Sequence, residues 1–221
     1  MAASSGSADR VTTRLAGARM LVLVATVCCF AVVGSSAQEA RPKGVIVVPM
    51  GEVSIGVVQR VAQRYAARWS IPIDVRAPVP IDPAIVDARR RQVVAERALS
   101  WLERQFAQQA PDRVVVGVLA DDLYSAERSW RFAFSIRQRR PGAPGLAVMS
   151  TARMKEEFYG HPPNEALLAD RFGKMLAKNL GVLFLGVPLN DNPNSVMYRN
   201  VLGLDDLDRI TDGFDGRPLP R

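Results

Sequence analysis

The sequence predicts a mixed α/β domain in which helices pack on a twisted mixed sheet. Helical and strand patterns alternate in the first half of the chain and strand patterns cluster in the second, an order expected of a mixed sheet covered by helices. Apolar residues make up 48% of the 221 residues and charged residues 23%, which is typical of a globular chain. This length suits one domain, here preceded by a leader and ended by an irregular tail.

The first half of the predicted domain contains two strands and two helices. Residues 44–49 form a short apolar run, the pattern of a buried strand, and residues 73–76 alternate in polarity as a second strand would. Apolar side chains recur at helical spacing in 55–69 and again in 91–109, which predicts two amphipathic helices. Prolines within 77–87 predict an extended surface connection between the second strand and the second helix.

The second half is predicted to contain three strands and one long helix. Residues 113–119 form another buried apolar run, and residues 130–136 alternate between apolar and polar side chains, as in a strand with one wet face. A further strand is predicted at 146–149, after a turn rich in proline and glycine. A helix is predicted from about 164 to 185, and the tail at 187–221 shows no regular pattern.

The first 37 residues have the pattern of a secretory signal peptide. A polar segment with three arginines, 1–19, precedes an uncharged apolar run of fourteen residues at 20–33, and small residues follow. We predict cleavage after Ala37, with Ala40 as the second choice, so that 38–221 forms the mature domain. The apolar run is shorter than the roughly 20 residues of a membrane-spanning helix, but an uncleaved anchor stays open as an alternative.

Cleavage would remove both cysteines, Cys28 and Cys29, which lie side by side in the apolar run. They cannot form a zinc finger, a Cys-x-x-Cys redox pair or a disulfide framework, although attachment of a lipid to one of them stays open. The domain has a single imidazole, His161, so a zinc site built on two or three histidines cannot form within one chain. We therefore expect a protein that is exported, either periplasmic or secreted, and that has no cofactor.

Cleavage would also lower the formal net charge from +7 to +5, because three basic residues and one acid are lost. A charge of this size on an exported protein is expected of a solvated surface, and we expect no nucleic-acid partner. Two short arginine clusters, at 89–91 and at 137, 139 and 140, are interpreted in the same way. Contact with a membrane is expected only through a leader that stays uncleaved.

Short sequence motifs of the domain indicate a protein family more specifically than its pattern of helices and strands does. They are Val-Val-Pro-Met-Gly at 47–51, Asp-Leu-Tyr at 122–124, Phe-Ala-Phe at 132–134, Glu-Phe-Tyr-Gly at 157–160, Pro-Pro-Asn-Glu at 162–165 and Asn-Pro-Asn-Ser-Val-Met at 192–197. In these motifs the chain resembles the archaemetzincins, zinc metallopeptidases of the metzincin group. The resemblance covers roughly 44–218 and implies a metzincin-like single domain whose long second-half helix is the active-site helix.

The archaemetzincin motif is His-Glu-x-x-His-x-x-Gly-x-x-His-Cys, four residues, Cys-x-Met, seventeen residues and Cys-x-x-Cys. In the family the three histidines hold the catalytic zinc, the glutamate is the general base, and the four cysteines hold a structural zinc. With Gly186 on the motif glycine, Met197 falls on the motif methionine, so that two scaffold residues match.

All eight chemical residues of the motif differ in this register. Asn179, Leu183 and Leu189 stand at the three histidine positions, and Leu180 stands at the glutamate position. The four cysteine positions are occupied by Asn190, Ser195, Asp215 and Pro218. A shift by one residue brings Lys178, Asn179 and Val182 onto the helix motif, and ligands and base are still missing.

These replacements remove the groups that hydrolysis needs. A zinc peptidase uses a metal-bound water with a pKa near 7 and a carboxylate that accepts its proton. Leucine has neither a lone pair nor a charge, and Asn179 offers one weak carbonyl ligand. Buried ligands without a metal would lack hydrogen bonds, whereas leucines fill the space, so we expect an apolar plug in place of the metal site.

The sequence therefore favours a pseudopeptidase that keeps a metzincin-like framework without either zinc. Its expected partner is an extended peptide or an envelope protein, held at a sheet edge at 145–149. Tyr159 and His161 are candidates for lining a residual groove, and the favoured alternative for them is a packed loop that caps the long helix. A zinc-dependent peptidase with an atypical metal site and a structural envelope protein stay open as alternatives. The neighbouring acids at 121–122 and 205–208 are interpreted as solvated, not as calcium ligands.

Overall fold

The computed structural model of the chain describes residues 41–140 and 142–214. The predicted signal peptide, its cleavage positions, and the former structural-zinc positions Asp215 and Pro218 lie outside these residues. The predicted fold class is confirmed, since the described residues form eight strands in two sheets and four α-helices.

The main sheet has five strands in the order β2-β1-β5-β8-β7. They are β1 (Gly44–Met50), β2 (Ile73–Val75), β5 (Arg113–Leu119), β7 (Ser135–Arg140) and β8 (Ala143–Ser150). β1 pairs in parallel with β2 and β5, and β5 pairs in parallel with β8. β7 pairs antiparallel with β8 and with no other described strand, so it forms one edge of the sheet.

Helices cover both faces of the main sheet. α1 (Ile55–Trp69) and α3 (Glu165–Leu183) pack on one face, against one set of alternate side chains of β1 and β5. α2 (Ala95–Leu102) packs against the other set on the opposite face. The central parallel strands are therefore buried on both faces, which is why their sequences are continuous apolar runs.

The helix predicted at 91–109 begins later than expected. Gln92–Val94 forms β4 of a small second sheet, in the order β3-β4-β6, with β3 at Val86–Asp87 and β6 at Leu123–Tyr124. The helical part is α2, followed by a π-helical turn at Glu103–Ala107. The residues of β4 are buried and pair with the neighbouring β3 and with the distant β6, so strand pairing outweighs the local helical period.

The strand predicted at 130–136 is also shifted, because β7 begins only at Ser135. Upstream of it, the N–H of Ala133 donates to the carbonyl oxygen of Leu123 at 2.7 Å, so this segment follows β6 and not β8. The rings of Phe132 and Phe134 meet edge to face, 5.5 Å between centroids. The alternation of large residues here therefore reflects ring packing in an irregular segment.

The long helix α3 lies close to its predicted position. The Asn164 side chain caps its first turn by accepting the N–H of Leu167 at 3.0 Å. Beyond its end, Gly186 adopts a φ of 67°, the left-handed conformation that lets the chain turn. The tail, predicted to be irregular, contains one short helix, α4 (Leu204–Arg209). No helix within the described ranges is long and apolar enough to span a membrane.

Candidate functional site

Asn179, which stands at the position of the first histidine ligand of the family motif, lies where α3 meets the edge strand β7. Its side chain is fully buried. Its Oδ1 accepts hydrogen bonds from Ser135 Oγ and Arg137 Nη1, both at 3.0 Å, and its Nδ2 lies 3.7 Å from Met149 Sδ on β8. The carbonyl oxygen that could have been a weak metal ligand is thus engaged by two donors from β7.

Two cationic side chains lie at this face of α3. Lys178 is 2% exposed and its Nζ donates to the carbonyl oxygen of Tyr198. Burial, and after it the nearby charge of Arg137, lowers the pKa of the Lys178 amine to about 7, against a weaker opposing effect of Asp206. Burial likewise lowers the pKa of the Arg137 guanidinium to about 10. An amine from α3 and a guanidinium from β7 therefore lie beside Asn179, the position at which the family motif has its first histidine.

The leucines at the other two histidine positions and at the glutamate position of the motif pack in the core. Leu180 is fully buried, Leu183 is 8% exposed, and Leu189 is half-buried against the same cluster. A Cβ on Gly145 of β8 would lie 2.6 Å from Leu183 Cδ2, so this leucine fills the space directly against β8. The expected apolar filling is present at Leu180 and Leu183.

A cavity of about 320 Å³ nevertheless opens beside Leu183, between the end of α3 and the turn that joins β7 to β8. Residues 182–186 line it together with Arg139 and Arg140. The expectation of a closed apolar plug is therefore wrong on this side of the helix. The described lining contains no carboxylate, imidazole or thiol, so it offers none of the usual zinc ligands.

The two matching scaffold residues flank the end of α3. Gly186 turns the chain after the helix, and the N–H of Val187 donates back to the carbonyl oxygen of Gly181 at 2.8 Å. Met197 is buried, and its Sδ lies 2.8 Å from the position that a Cβ on Gly181 would take. The methionine of the tail therefore packs directly against the helix, in contact that only a glycine allows.

The two former structural-zinc positions that are described lie together. Asn190 Nδ2 donates to the buried Oγ of Ser195 at 3.1 Å, and the same Oγ accepts the N–H of Met197 at 3.1 Å. The N–H of Asn190 donates to the carbonyl oxygen of Met197 at 2.9 Å. Hydrogen bonds therefore close the loop that carries Met197, at two positions where the family motif has cysteines.

Tyr159 and His161, the predicted groove residues, lie between β8 and α3. The Tyr159 hydroxyl donates to the carbonyl oxygen of Arg153 at 3.2 Å, and His161 Nδ1 lies 2.9 Å from Glu156 Oε2. Glu156 also accepts from Arg171 of α3 at 2.7 Å, and His161 and Arg171 hold the pKa of this carboxyl below its usual range. Neither Tyr159 nor His161 lines the cavity at the end of α3. Both belong to a segment that is tied to α3 through the bonds of Glu156 to His161 and Arg171.

The side chains at the matched positions do not fit a zinc ion, since leucine has no donor atom and Asn179 Oδ1 is engaged. Within 41–140 and 142–214, no three histidine, cysteine, aspartate or glutamate side chains converge in a way that could hold a metal. Acids considered as calcium ligands pair instead with arginines: Asp122 with Arg153, Asp206 with Arg209 and Asp208 with Arg171.

The strand expected to be the peptide-binding edge, 145–149, is not an edge, because β8 is paired on both sides. The edge is β7. The carbonyl oxygen of Phe134 accepts the N–H of Ser150 at 2.9 Å, and bonded pairs alternate along an antiparallel ladder. The backbone N–H and C=O groups of Ser135 and Arg137 therefore point away from β8, toward the side on which β7 pairs with no described strand.

Sequence reasoning missed the part that β7 plays in the site. The sequence pattern does not distinguish Ser135, predicts Arg137 in a solvated cluster, and brings Lys178 onto the motif only in the register shifted by one residue. One signal was available: residues two apart in a strand lie on the same face, which places the side chains of Ser135 and Arg137 together. Only the position of β7 against α3 shows that this face meets Asn179.

Comparison with known proteins then decides the family. The archaemetzincin of Pyrococcus furiosus is 33% identical over 162 residues, which cover 70% of this chain and 79% of the relative. The chain belongs to the archaemetzincin family. The archaemetzincin of Pyrococcus abyssi is 30% identical over 164 residues, covering 70% of this chain and 81% of that protein. No protein-family model matches the chain.

Solved structures agree with membership of the archaemetzincin family. A zinc-dependent peptidase from Methanocorpusculum labreanum matches with a TM-score of 0.67 at 25% identity, covering 78% of this chain and 96% of the other. The archaemetzincin of Archaeoglobus fulgidus matches with a TM-score of 0.61 at 23% identity, with the same coverage. The expected resemblance and the metzincin-like fold are confirmed.

Proposed function

We propose that this chain is an exported archaemetzincin-family protein that lacks peptidase activity and binds an extended peptide along the edge strand β7. The observation that carries the proposal is the state of Asn179, whose oxygen accepts from Ser135 and Arg137 at the position of the first histidine ligand. A metal ion would have to displace both donors. Asn190 and Ser195, which are hydrogen-bonded to each other, extend the same reasoning to the structural zinc.

Charge argues further against metal-dependent hydrolysis at this place. A dication would have to approach the guanidinium of Arg137 and the amine of Lys178, which repel it most strongly where water is excluded. Leu180, at the position of the general base, cannot accept a proton from water. Membership of the archaemetzincin family does not by itself imply peptidase activity, and the side chains at the site support its absence in this chain.

Peptide binding is supported by the open side of β7. An extended chain can add to an exposed sheet edge through backbone hydrogen bonds, and Ser135 and Arg137 offer their N–H and C=O groups there. The side chains of these two residues are held against α3 by Asn179, so the edge is fixed before a partner arrives.

Elemental analysis of the purified exported form, combined with a peptidase assay, tests the absence of activity. We expect far less than one zinc per chain, no cleavage, and no change on treatment with a chelator. About one equivalent of zinc with cleavage that stops when the zinc is stripped would instead support the alternative of an atypical metal site, including one shared between chains.

Binding to an array of extended peptides tests the positive part of the proposal. Ser135→Pro removes one outward N–H, and we expect it to weaken binding about tenfold or more, since an edge without its donor cannot pair. Ser135→Ala is the matched control, because it keeps the N–H and removes only the hydroxyl. Equal binding by Ser135→Pro and Ser135→Ala would exclude pairing at β7, and binding of no peptide would favour a structural envelope protein.

A further inference from the structure

A broad groove of about 870 Å³ lies beyond the carboxyl ends of β5 and β8. We name it the arginine groove, after the residues of its lining that matter here: Arg90, Arg91, Arg131, Arg153, Phe132 and Phe158. These residues come from three distant parts of the sequence. Crevices outside the carboxyl ends of strands are where open α/β sheets commonly bind ligands.

Positive charge dominates the lining of the arginine groove. Its one acid, Asp122, is taken by Arg153, with Nε to Oδ1 at 2.9 Å and Nη2 to Oδ2 at 2.8 Å. Arg90 donates to the carbonyl oxygen of Arg131 at 3.0 Å and to a glutamine, both neutral acceptors. Among the described residues, neither Arg91 nor Arg131 has an acid within ion-pair distance of its guanidinium. These two guanidinium groups therefore remain available to an anionic ligand.

The turn that presents the first two arginines is fixed in place. Asp87 Oδ1 accepts the N–H groups of Arg89 at 3.0 Å and Arg90 at 3.2 Å, and the Arg90 guanidinium lies 3.8 Å from the centre of the Tyr124 ring. Arg91 has a φ of 52°, a left-handed conformation that residues other than glycine adopt uncommonly. Such preorganisation reduces the entropy that a ligand must overcome on binding.

Aromatic rings give the groove apolar walls. The guanidinium of Arg153 lies between Phe132 and Phe158, 4.2 and 4.8 Å from the two ring centres. Phe158 remains 46% exposed. A side chain with an apolar stem and an anionic end, such as glutamate, would meet both kinds of surface.

We propose that the arginine groove selects acidic side chains of the peptide that pairs with β7, a step that rests on the proposed function. Arg131 and Phe132 lie a few residues before Ser135, where β7 begins, so the groove borders the first end of this edge strand. At about 3.3 Å per residue, acids three or four residues beyond the segment paired at Ser135 would reach it. This continuity with a peptide-binding edge favours an acidic peptide over another polyanion.

Calorimetric titration of the full chain with synthetic peptides tests this selection. Each peptide carries a neutral β-prone segment, flanked on one side or the other by a run of glutamates or of glutamines. We expect the better glutamate peptide to bind about tenfold or more tightly than its glutamine counterpart at low salt. The advantage should shrink as added salt screens the exposed arginines.

The variant Arg91→Ala/Arg131→Ala should lose the glutamate advantage and keep its affinity for the glutamine peptides. The matched control is Arg64→Ala/Arg104→Ala, which removes two exposed arginines outside the groove lining and should keep the advantage.

The outcomes separate the two proposals. Equal binding of glutamate and glutamine peptides would overturn the groove and leave pairing at β7 intact. Binding of glutamate peptides alone, lost in Arg91→Ala/Arg131→Ala and unaffected by Ser135→Pro, would support the groove and overturn pairing at β7. Binding of neither the glutamate nor the glutamine peptides would overturn both proposals. If a single-stranded oligonucleotide bound more tightly than the glutamate peptides, and this binding depended on Arg91 and Arg131, the choice of a peptide as the ligand would be overturned.

Discussion

Lys178 and Asn179, both buried, form a polar group with the half-buried Arg137 in a part of the fold that is otherwise apolar. The asparagine oxygen accepts from Arg137, and the lysine amine donates to the carbonyl oxygen of Tyr198. Each charged group therefore has a neutral partner, which limits but does not remove the cost of leaving water. Their burial makes stability sensitive to both pH and substitution.

Lys178 should make the protein more stable as the pH rises above 7. Its amine has a pKa of about 7 in the folded chain and about 10.5 when unfolded, so between these values the unfolded chain binds the extra proton. The free energy of unfolding should rise across this window by up to about 1.4 kcal/mol per pH unit, a rise that Lys178→Met should lack. Urea denaturation at a series of pH values measures it.

The control for this prediction is Lys155→Met, which replaces a less buried lysine and should retain the wild-type dependence. If Lys178→Met and the wild type show the same slope between pH 7 and 10, Lys178 is not the group responsible.

Asn179→Ala should destabilise the protein by about 1–3 kcal/mol, because Arg137 and Ser135 both lose their acceptor in a buried place. Ser135→Ala removes one donor, leaves the Arg137 bond in place, and should cost clearly less. Denaturant titration of both variants at pH 7 checks the order. A cost for Ser135→Ala equal to that for Asn179→Ala would show that the Arg137 bond contributes nothing.

At the scale of elements, the site depends on how closely α3 approaches the β7–β8 hairpin. Gly145 of β8 permits this approach, since a Cβ there would lie 2.6 Å from Leu183 Cδ2 and 2.9 Å from the carbonyl oxygen of Gln138. Gly181 permits a similar approach of Met197 on another side of the helix. The helix is thereby held between the hairpin and the tail.

Gly145→Ala should therefore lower the free energy of unfolding by about 1–3 kcal/mol, since one of the atoms in the way belongs to the backbone of β7 and cannot rotate aside. Gly203→Ala is the matched control: nothing lies within 4 Å of its added Cβ, and its change should stay within about 0.5 kcal/mol. Thermal and urea unfolding give both values. Equal effects of the two substitutions would mean that the hairpin can move away from α3 at little cost.

At the scale of the whole molecule, a five-stranded sheet covered on both faces leaves β7 as an unpaired edge next to the former metal site. The main sheet and the helices that cover it belong to the archaemetzincin fold. In the proposed function, the binding surface of such a protein lies along this edge and beside it.

Export is a prediction about the whole chain. If residues 1–37 form a signal peptide, expression in a bacterial host with an export pathway should give a secreted or periplasmic product that begins at Gln38. Intact-mass measurement identifies this terminus, and a start at Arg41 would indicate the second cleavage position. A product that keeps Met1 and sediments with membranes would show that the leader is an anchor.

The sequence by itself determined the buried strands at 44–49 and 113–119 and the helix that begins after Asn164. These features depend on residue type and on local period. The tertiary structure decided that β7 begins at Ser135 and is the edge, and that Gln92–Val94 is a strand. It also brought Asn179 to Arg137, and the arginines of 89–91 to Arg131 and Arg153. The physical reason is that these arrangements depend on contacts between separate segments of the chain, whose register no local pattern encodes.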